Sequence, residues 1–161
     1  MEYTLQQIRD AGLDEIVLVL GAFAELIQKS LKKEQLRIVI NDLWPSGKAS
    51  SIQAGLSAIS EEHQAVIIFL CDQPYLTAEL IRKVIEEARK YEQASIVAPK
   101  TTQQICNPVL FKSMTFKAFA HLQGEEGGKQ LFAQFSMHTF HWGDERIAWD
   151  VDTVQDLQKL S

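Results

Sequence analysis

A chain of 161 residues can bury roughly 70% of its extended surface, enough for one domain with a core of its own. With 46% apolar and 23% charged residues, no run of about 18 apolar residues and no basic-then-apolar leader, it reads as a soluble cytoplasmic protein. Its net charge of -5 without a basic stripe argues against nucleic acid as a partner, and nothing points to a membrane. The first helical spacing is Leu5, Ile8 and Ala11, followed by a β-branched apolar run at 15–21 (EIVLVLG). Phe23, Leu26, Ile27 and Leu31 mark a second amphipathic helix, and 36–41 (LRIVIN) a second strand. Ile52, Leu56 and Ile59 mark a third helix, and 65–71 (AVIIFLC) a third strand. Thr77 caps a fourth helix with Leu80, Ile81, Val84, Ile85 and Ala88 on its buried side, and 94–99 (ASIVAP) is a fourth strand. Strands apolar on both faces that alternate with helices imply βαβ crossovers. The expected fold class is therefore α/β, a three-layer open, mostly parallel sheet covered by helices, with ligands beyond the carboxyl ends of the strands.

Past Pro99 the pattern loosens. A polar turn at 101–104, a short strand at 107–111 and a helix at 112–122 come first. A glycine-bearing loop at 124–128 and a short helix through Phe135 follow. A strand at 138–142, an extended stretch at 148–151 and a closing helix at 154–160 complete the chain. No repeat, linker or low-complexity segment interrupts it, so a single domain over 1–161 is expected. The two cysteines, Cys71 and Cys106, are too few for a zinc framework, and Cys71 within an apolar run reads as a reduced packing thiol.

Asp72 falls just past the end of the third strand, where side chains face the crevice. A carboxylate there is a hard oxygen ligand suited to Mg2+, which takes one or two such groups and completes its shell with water and substrate phosphates. A second acidic cluster, Asp150, Asp152 and Asp156, lies near the end of the sequence. Alternation puts Asp150 and Asp152 on one face, and the cluster can equally be a capped helix start. Gly47-Lys48-Ala49-Ser50-Ser51 offers glycine and hydroxyls before a helix, where N–H groups attract anions, but Asp42 and Ala49 stand where a Walker A needs Gly and Ser or Thr. A capped helix after a turn fits as well. The stretch 124–129 (GEEGGK) also fits a solvated turn. His138 and His141 would face opposite sides of an extended segment, so no metal pair is expected; His63 and His121 read as surface residues.

Taken in order, these pieces resemble the molybdenum cofactor cytidylyltransferase branch of the MobA-like nucleotidyltransferase family. Asn41, Trp44 and 47–55 resemble its N-x-x-W-x-x-G-x-x-S-S-[IL]-x-x-G. Residues 70–74 resemble L-x-D-Q-P and 107–111 resemble [HN]-P-V-L-F. Residues 124–129 are similar to G-D-x-G-x-R and 150–156 to D-I-D-T-x-x-D. The resemblance implies a fold of the nucleotide-diphospho-sugar transferase (Rossmann-like) type. It implies transfer of a nucleoside monophosphate, CMP from CTP above GTP, to a phosphorylated acceptor such as molybdopterin cofactor, with pyrophosphate released. By the same resemblance Asp72 and Asp152 are catalytic, and Asp72, Asp150 and Asp152 hold Mg2+. Gly47, Ser50, Ser51, Gly55, Gln73 and Pro74 would face the nucleotide, and Asn107, Pro108, Gly124 and Gly127 the acceptor.

The chain departs from the family's pattern at Lys48 for Met, Cys106 for Gly, and Glu125 and Lys129 for Asp and Arg. The last change exchanges a two-pronged phosphate donor for a point charge. The family opens with a strand and a glycine-rich L-A-A-G-x-S-x-R-M-G-x-x-K segment, whereas this sequence starts near the helix that follows. The expectation is a chain shortened relative to the family and inactive as it stands. Strands 15–21 and 65–71 would flank a gap that closes up or is filled by a second copy in a homodimer. The rival reading is a catalytically inactive nucleotide- or cofactor-binding module that keeps the fold.

Overall fold

The computed structural model describes residues 1–13, 15–31, 36–60 and 62–158. In chain order its elements are α1 (Glu2–Asp10), β1 (Val17–Leu20), α2 (Ala24–Ser30), β2 (Arg37–Ile40), α3 (Lys48–Ser57), β3 (Ala65–Ile68) and α4 (Ala78–Lys90). Then come β4 (Ile96–Lys100), β5 (Val109–Lys112), α5 (Phe116–Phe119), β6 (Met137–His141) and α6 (Val154–Gln158). Tight 3-10 turns occupy Trp44–Ser46, Ser113–Thr115, Gly128–Leu131 and Glu145–Ala148. The chain divides into two compact units. One comprises Met1–Leu13, Ile67–Phe111 and Met137–Ser161, the other Asp14–Val66 and Lys112–Ser136.

The first unit is organised around β4, whose Ile96, Val97 and Ala98 are fully buried. β6 runs parallel to it from Ile96↔Met137 to Lys100↔His141, and β5 runs antiparallel, paired at Ile96 and Val97. Pro99 lies past the last β5 pairing, so its missing N–H costs that pairing nothing. The four-stranded sheet has the order β3-β5-β4-β6. α4 lies on this sheet through Leu80, Ile81 and Val84, each 0% exposed, and burying each such side chain contributes about 1.5–3 kcal/mol. Its first turn is closed by two side chains. Thr77 Oγ1 accepts from the Leu80 N–H at 3.2 Å, and Gln7 Oε1 accepts from the Ala78 N–H at 2.9 Å. Tyr3 Oη donates to the Leu76 carbonyl at 2.8 Å and Arg82 Nη1 to the Asp10 carbonyl at 2.7 Å, so α1 braces the approach to α4.

The second unit carries a two-stranded parallel sheet, β1 with β2, paired from Val17↔Arg37 to Leu20↔Ile40. α3 packs on β1 closely enough that a Cβ added at Gly55 would sit 3.1 Å from Val19 Cγ2. Gln53 Nε2 donates to the carbonyls of Phe119 and Leu122, both at 3.0 Å, and so ties α3 to the end of α5.

The α/β class and the parallel-rich sheets agree with the sequence reading, with several corrections. Four strands, 15–21, 36–41, 65–71 and 94–99, were expected to be buried on both faces; of these β4 approaches that, while β1, β2 and β3 are partly or largely open. Arg37, Ile38 and Ile40 of β2 are exposed, because among the described residues β2 pairs with β1 alone. α2 buries none of the apolar residues its spacing singles out; Phe23 is 78% and Leu26 68% exposed. The helix expected over 112–122 is cut short: Thr115 Oγ1 donates to the Lys112 carbonyl at 2.8 Å, a side-chain turn that competes with helix continuation. The stretch expected to be extended from 148 begins instead inside the turn Glu145–Ala148, whose first residue is capped by Asp144. β3 stops at Ile68, so Cys71 is exposed rather than a packing thiol, while Cys106 is buried. The end of the closing helix, 159–160, lies outside the described residues.

Candidate functional site

Asp72 lies in the turn that leads from β3 to α4, and the last acidic cluster comes to it. The Val151 N–H donates to the Asp72 carbonyl at 2.8 Å, which sets residues 150–152 beside residue 72. The next residue along strengthens the clamp: Gln73, 7% exposed, donates from Nε2 to Asp150 Oδ1 at 2.9 Å. Two positions further, the Tyr75 and Trp149 rings stack at 5.8 Å between centroids with planes 18° apart. Asp72, Asp150 and Asp152 are all exposed. The capped-helix reading also holds, for the residues that follow. Thr153 and Asp156 exchange bonds, Thr153 N–H to Asp156 Oδ2 at 3.0 Å and Asp156 N–H to Thr153 Oγ1 at 3.2 Å, which leaves Asp150 and Asp152 ahead of the cap.

These oxygens suit a hard divalent cation. No group of three or more His, Cys, Asp or Glu side chains able to hold a metal occurs among the described residues. A cation held by one or two carboxylates completes its shell with water and substrate phosphates. Pro74 is half-buried in the same turn. Asn107, half-buried, and the buried Pro108 are joined by a cis peptide bond just ahead of β5 in the same unit.

The remaining expected site residues gather in the other unit. Asn41, 5% exposed, donates from Nδ2 to Ser50 Oγ at 2.9 Å and Ser51 Oγ at 3.0 Å, and its Oδ1 accepts from the Leu43 N–H at 3.0 Å. Ser50 Oγ in turn donates to the Gly47 carbonyl at 2.8 Å. Gly47 touches Gly124 directly: a Cβ at Gly47 would fall 2.3 Å from the Gly124 carbonyl carbon, and the Ala49 N–H donates to the Gly124 carbonyl at 3.0 Å. One of the amides that an anion would use at the start of α3 is thus engaged by the glycine loop. Gly127 follows suit, with Lys48 Cδ 3.4 Å from where its Cβ would be and its N–H donating to Gln130 Oε1 at 2.9 Å. Gly55 faces Val19, as described above.

The expected residues therefore fall into two sets. Gly47, Ser50, Ser51, Gly55, Gly124 and Gly127 belong to one unit. Asp72, Gln73, Pro74, Asn107, Pro108, Asp150 and Asp152 belong to the other. Motif reading assigned no role to Asn41, Tyr75 or Trp149. The available signal was position: Asn41 opens the stretch that ends in the serines, and an aromatic residue stands close to each acidic motif.

Residues 1–140 match the MobA-like NTP transferase domain. Among curated proteins, nicotine blue oxidoreductase of Paenarthrobacter nicotinovorans is 26% identical over 156 residues, covering 92% of this chain and 76% of that protein. The 2-C-methyl-D-erythritol 4-phosphate cytidylyltransferase of Clostridium botulinum (strain Loch Maree / Type A3) is 32% identical over 115 residues, covering 65% of this chain and 48% of that one. Among solved structures, the manganese complex of Rv0371c from Mycobacterium tuberculosis H37Rv matches with a TM-score of 0.84 and 22% identity, over 99% of this chain and 84% of that one. The likeness is one of fold, the nucleotide-diphospho-sugar transferase type. No helix among the described residues is long and apolar enough to cross a membrane.

Proposed function

Because the chain belongs to the MobA-like NTP transferase domain family, we propose that it is a nucleotidyltransferase that moves CMP from CTP to a phosphorylated acceptor of the molybdopterin kind, with pyrophosphate leaving. The observation that carries this reading is the contact between the middle and the tail of the chain, the Val151 N–H on the Asp72 carbonyl at 2.8 Å. By the family resemblance Asp72 and Asp152 are the proposed catalytic carboxylates, and of the expected set Asp72, Asp150 and Asp152, Asp72 together with Asp150 or Asp152 would hold Mg2+. When bound, the cation offsets the negative charge that builds on the phosphoryl oxygens as the acceptor's terminal phosphate oxygen bonds to the α-phosphorus and the bond to pyrophosphate breaks. The chain's own residues position the reactants. Gln73 holds Asp150 in place with a neutral amide. Within one unit, Gly47, Ser50, Ser51 and Gly55 are proposed for the nucleotide and Gly124 and Gly127 for the acceptor; within the other, Gln73 and Pro74 are proposed for the nucleotide and Asn107 and Pro108 for the acceptor. In-line placement of this kind supplies much of the acceleration in a reaction that needs no protein nucleophile.

The test is calorimetric titration with CTP and with GTP, in Mg2+ and in EDTA. CTP is expected to bind more tightly than GTP, in Mg2+ only, and Asp72→Asn is expected to lose that dependence. Equal CTP affinity with and without Mg2+ would overturn the reading. A second reading, in which the fold hosts some other reaction, draws on the likeness to the curated protein named nicotine blue oxidoreductase. Pyrophosphate released from CTP in the presence of Mg2+ and molybdopterin would exclude it.

A further inference from the structure

The turn Glu145–Ala148, just ahead of the tail carboxylates, is more firmly built than its exposed position requires. Asp144 accepts three bonds from Arg146: from its backbone N–H at 3.0 Å, from Nε at 2.8 Å and from Nη2 at 2.7 Å. Glu145 binds Thr102 through the backbone N–H and through Oγ1, both at 3.1 Å, and Ile147 is 2% exposed. The locked guanidinium does not point into solvent alone. Its central carbon lies 4.6 Å from the centroid of the Tyr75 ring, the ring that stacks on Trp149. Tyr75 follows Asp72 and Gln73 in one turn, and Trp149 immediately precedes Asp150.

We propose that Arg146 is a positioning residue for a divalent cation at Asp72 and Asp150: fixed by Asp144, it holds Tyr75 against Trp149 and so sets the two carboxylate-bearing segments side by side. This rests on the reading that those carboxylates hold the metal. Arg146 acts through the rings. Its side chain is 63% exposed, so its packing adds little to the core. The Asp144 carboxyl is held below the usual carboxylate range, first by its side-chain bonds to Arg146, which keeps the pair charged near neutral pH. A cation over an exposed ring shifts an equilibrium by about two- to fivefold, and that is the scale expected here.

The experiment measures the Kd for Mn2+ alone, by the electron paramagnetic resonance of the free ion, with each variant's Tm recorded in EDTA so that binding is read only on folded protein. Wild type is expected to bind, Asp72→Asn to lose binding, and Arg146→Ala to bind about two- to fivefold more weakly. Arg146→Lys, which keeps a cation over the ring, should recover part of that loss. Tyr75→Leu should weaken binding by itself, and adding Arg146→Ala to it should cost nothing more, a non-additivity that a merely structural role would not produce. If Asp72→Asn loses Mn2+ while Arg146→Ala binds it as wild type does, the positioning role is overturned and the metal reading stands. If wild type binds no Mn2+, the metal reading falls and this inference with it.

Discussion

Gly47→Ala probes the contact between the α3 start and the glycine loop. Gly47 has φ +108° and ψ 177°, a region open essentially to glycine, and forcing another residue into it costs about 1–3 kcal/mol. The added Cβ would also lie 2.3 Å from the Gly124 carbonyl carbon and 2.4 Å from its oxygen. These are backbone atoms and cannot rotate aside, so the loop must retreat. The Ala49 N–H then loses its 3.0 Å bond to that oxygen, worth about 1 kcal/mol. Together the variant should lose about 2–4 kcal/mol, or roughly 4–16 °C in Tm for a chain of this size. Gly124→Ala is the matched control. Gly124 sits at φ +54° with nothing within 4 Å of its would-be Cβ, so only the left-handed backbone term of about 1–2 kcal/mol applies. Urea unfolding followed by far-UV circular dichroism gives both numbers. A Gly47→Ala protein within 0.5 kcal/mol of wild type, by the uncertainty of such measurements, or a Gly124→Ala protein less stable than Gly47→Ala, would refute the argument.

Glu87 on α4 is 8% exposed on its side chain and accepts from Lys83 Nζ at 3.0 Å and from His138 Nε2 at 2.7 Å. The Lys83 bond first, and the His138 bond after it, hold its carboxyl below the usual range. Since the folded value is the lower one, the stabilisation is fully present above the unfolded value, about 4.3, and is lost as pH falls through the folded value. Glu87→Gln should therefore cost about 1–3 kcal/mol at pH 7 and progressively less below about pH 4, as read by urea unfolding across pH. Asn41→Leu keeps the size but removes the amide that joins Ser50, Ser51 and Leu43. A loss of about 2–3 kcal/mol is expected, together with weaker CTP binding by calorimetry, and unchanged CTP affinity in a folded variant would count against the serines' role.

The sequence made α4 and β4 readable because periodicity reports an apolar stripe, and here each stripe is covered: Leu80, Ile81 and Val84 by the sheet, Ile96 and Val97 from both faces. The same logic misled at α2 and β2. A stripe such as Phe23, Leu26 and Ile27 states that a face is apolar, but the pattern does not say what lies against it, and the structure leaves Phe23 and Leu26 exposed. Boundaries slipped where side chains form their own turns. The Lys112–Thr115 bond and the Asp144 cap are local decisions that a period of three or four residues cannot register. The ordered motifs brought out the acidic residues and the serines, but the contacts that organise them are made by neutral amides and backbone carbonyls, Gln73 and the Asp72 carbonyl at the acidic residues and, in the other unit, Asn41 and the Gly124 carbonyl at the start of α3, which carry no periodic or charge signal.

Gln73 illustrates why such groups escape notice and yet suit the site. If Asp150 shares a cation with Asp72 as proposed, a buried donor beside it helps, because a carboxylate at a turn has several rotamers and a shared cation would select among them. Lysine or arginine at 73 would also reach the carboxylate, with a stronger charge-assisted bond. It would then occupy the place of the cation, neutralising the charge that attracts the metal. Histidine would add a competing nitrogen ligand and a proton that titrates near neutral pH. An amide donates one N–H to Asp150 Oδ1, at 2.9 Å here, and brings no charge of its own. A hydrophobic residue would leave Asp150 to rotate toward water. At a position 7% exposed, a neutral amide can orient the proposed ligand without adding a charge beside it, which is the arrangement Gln73 makes with Asp150.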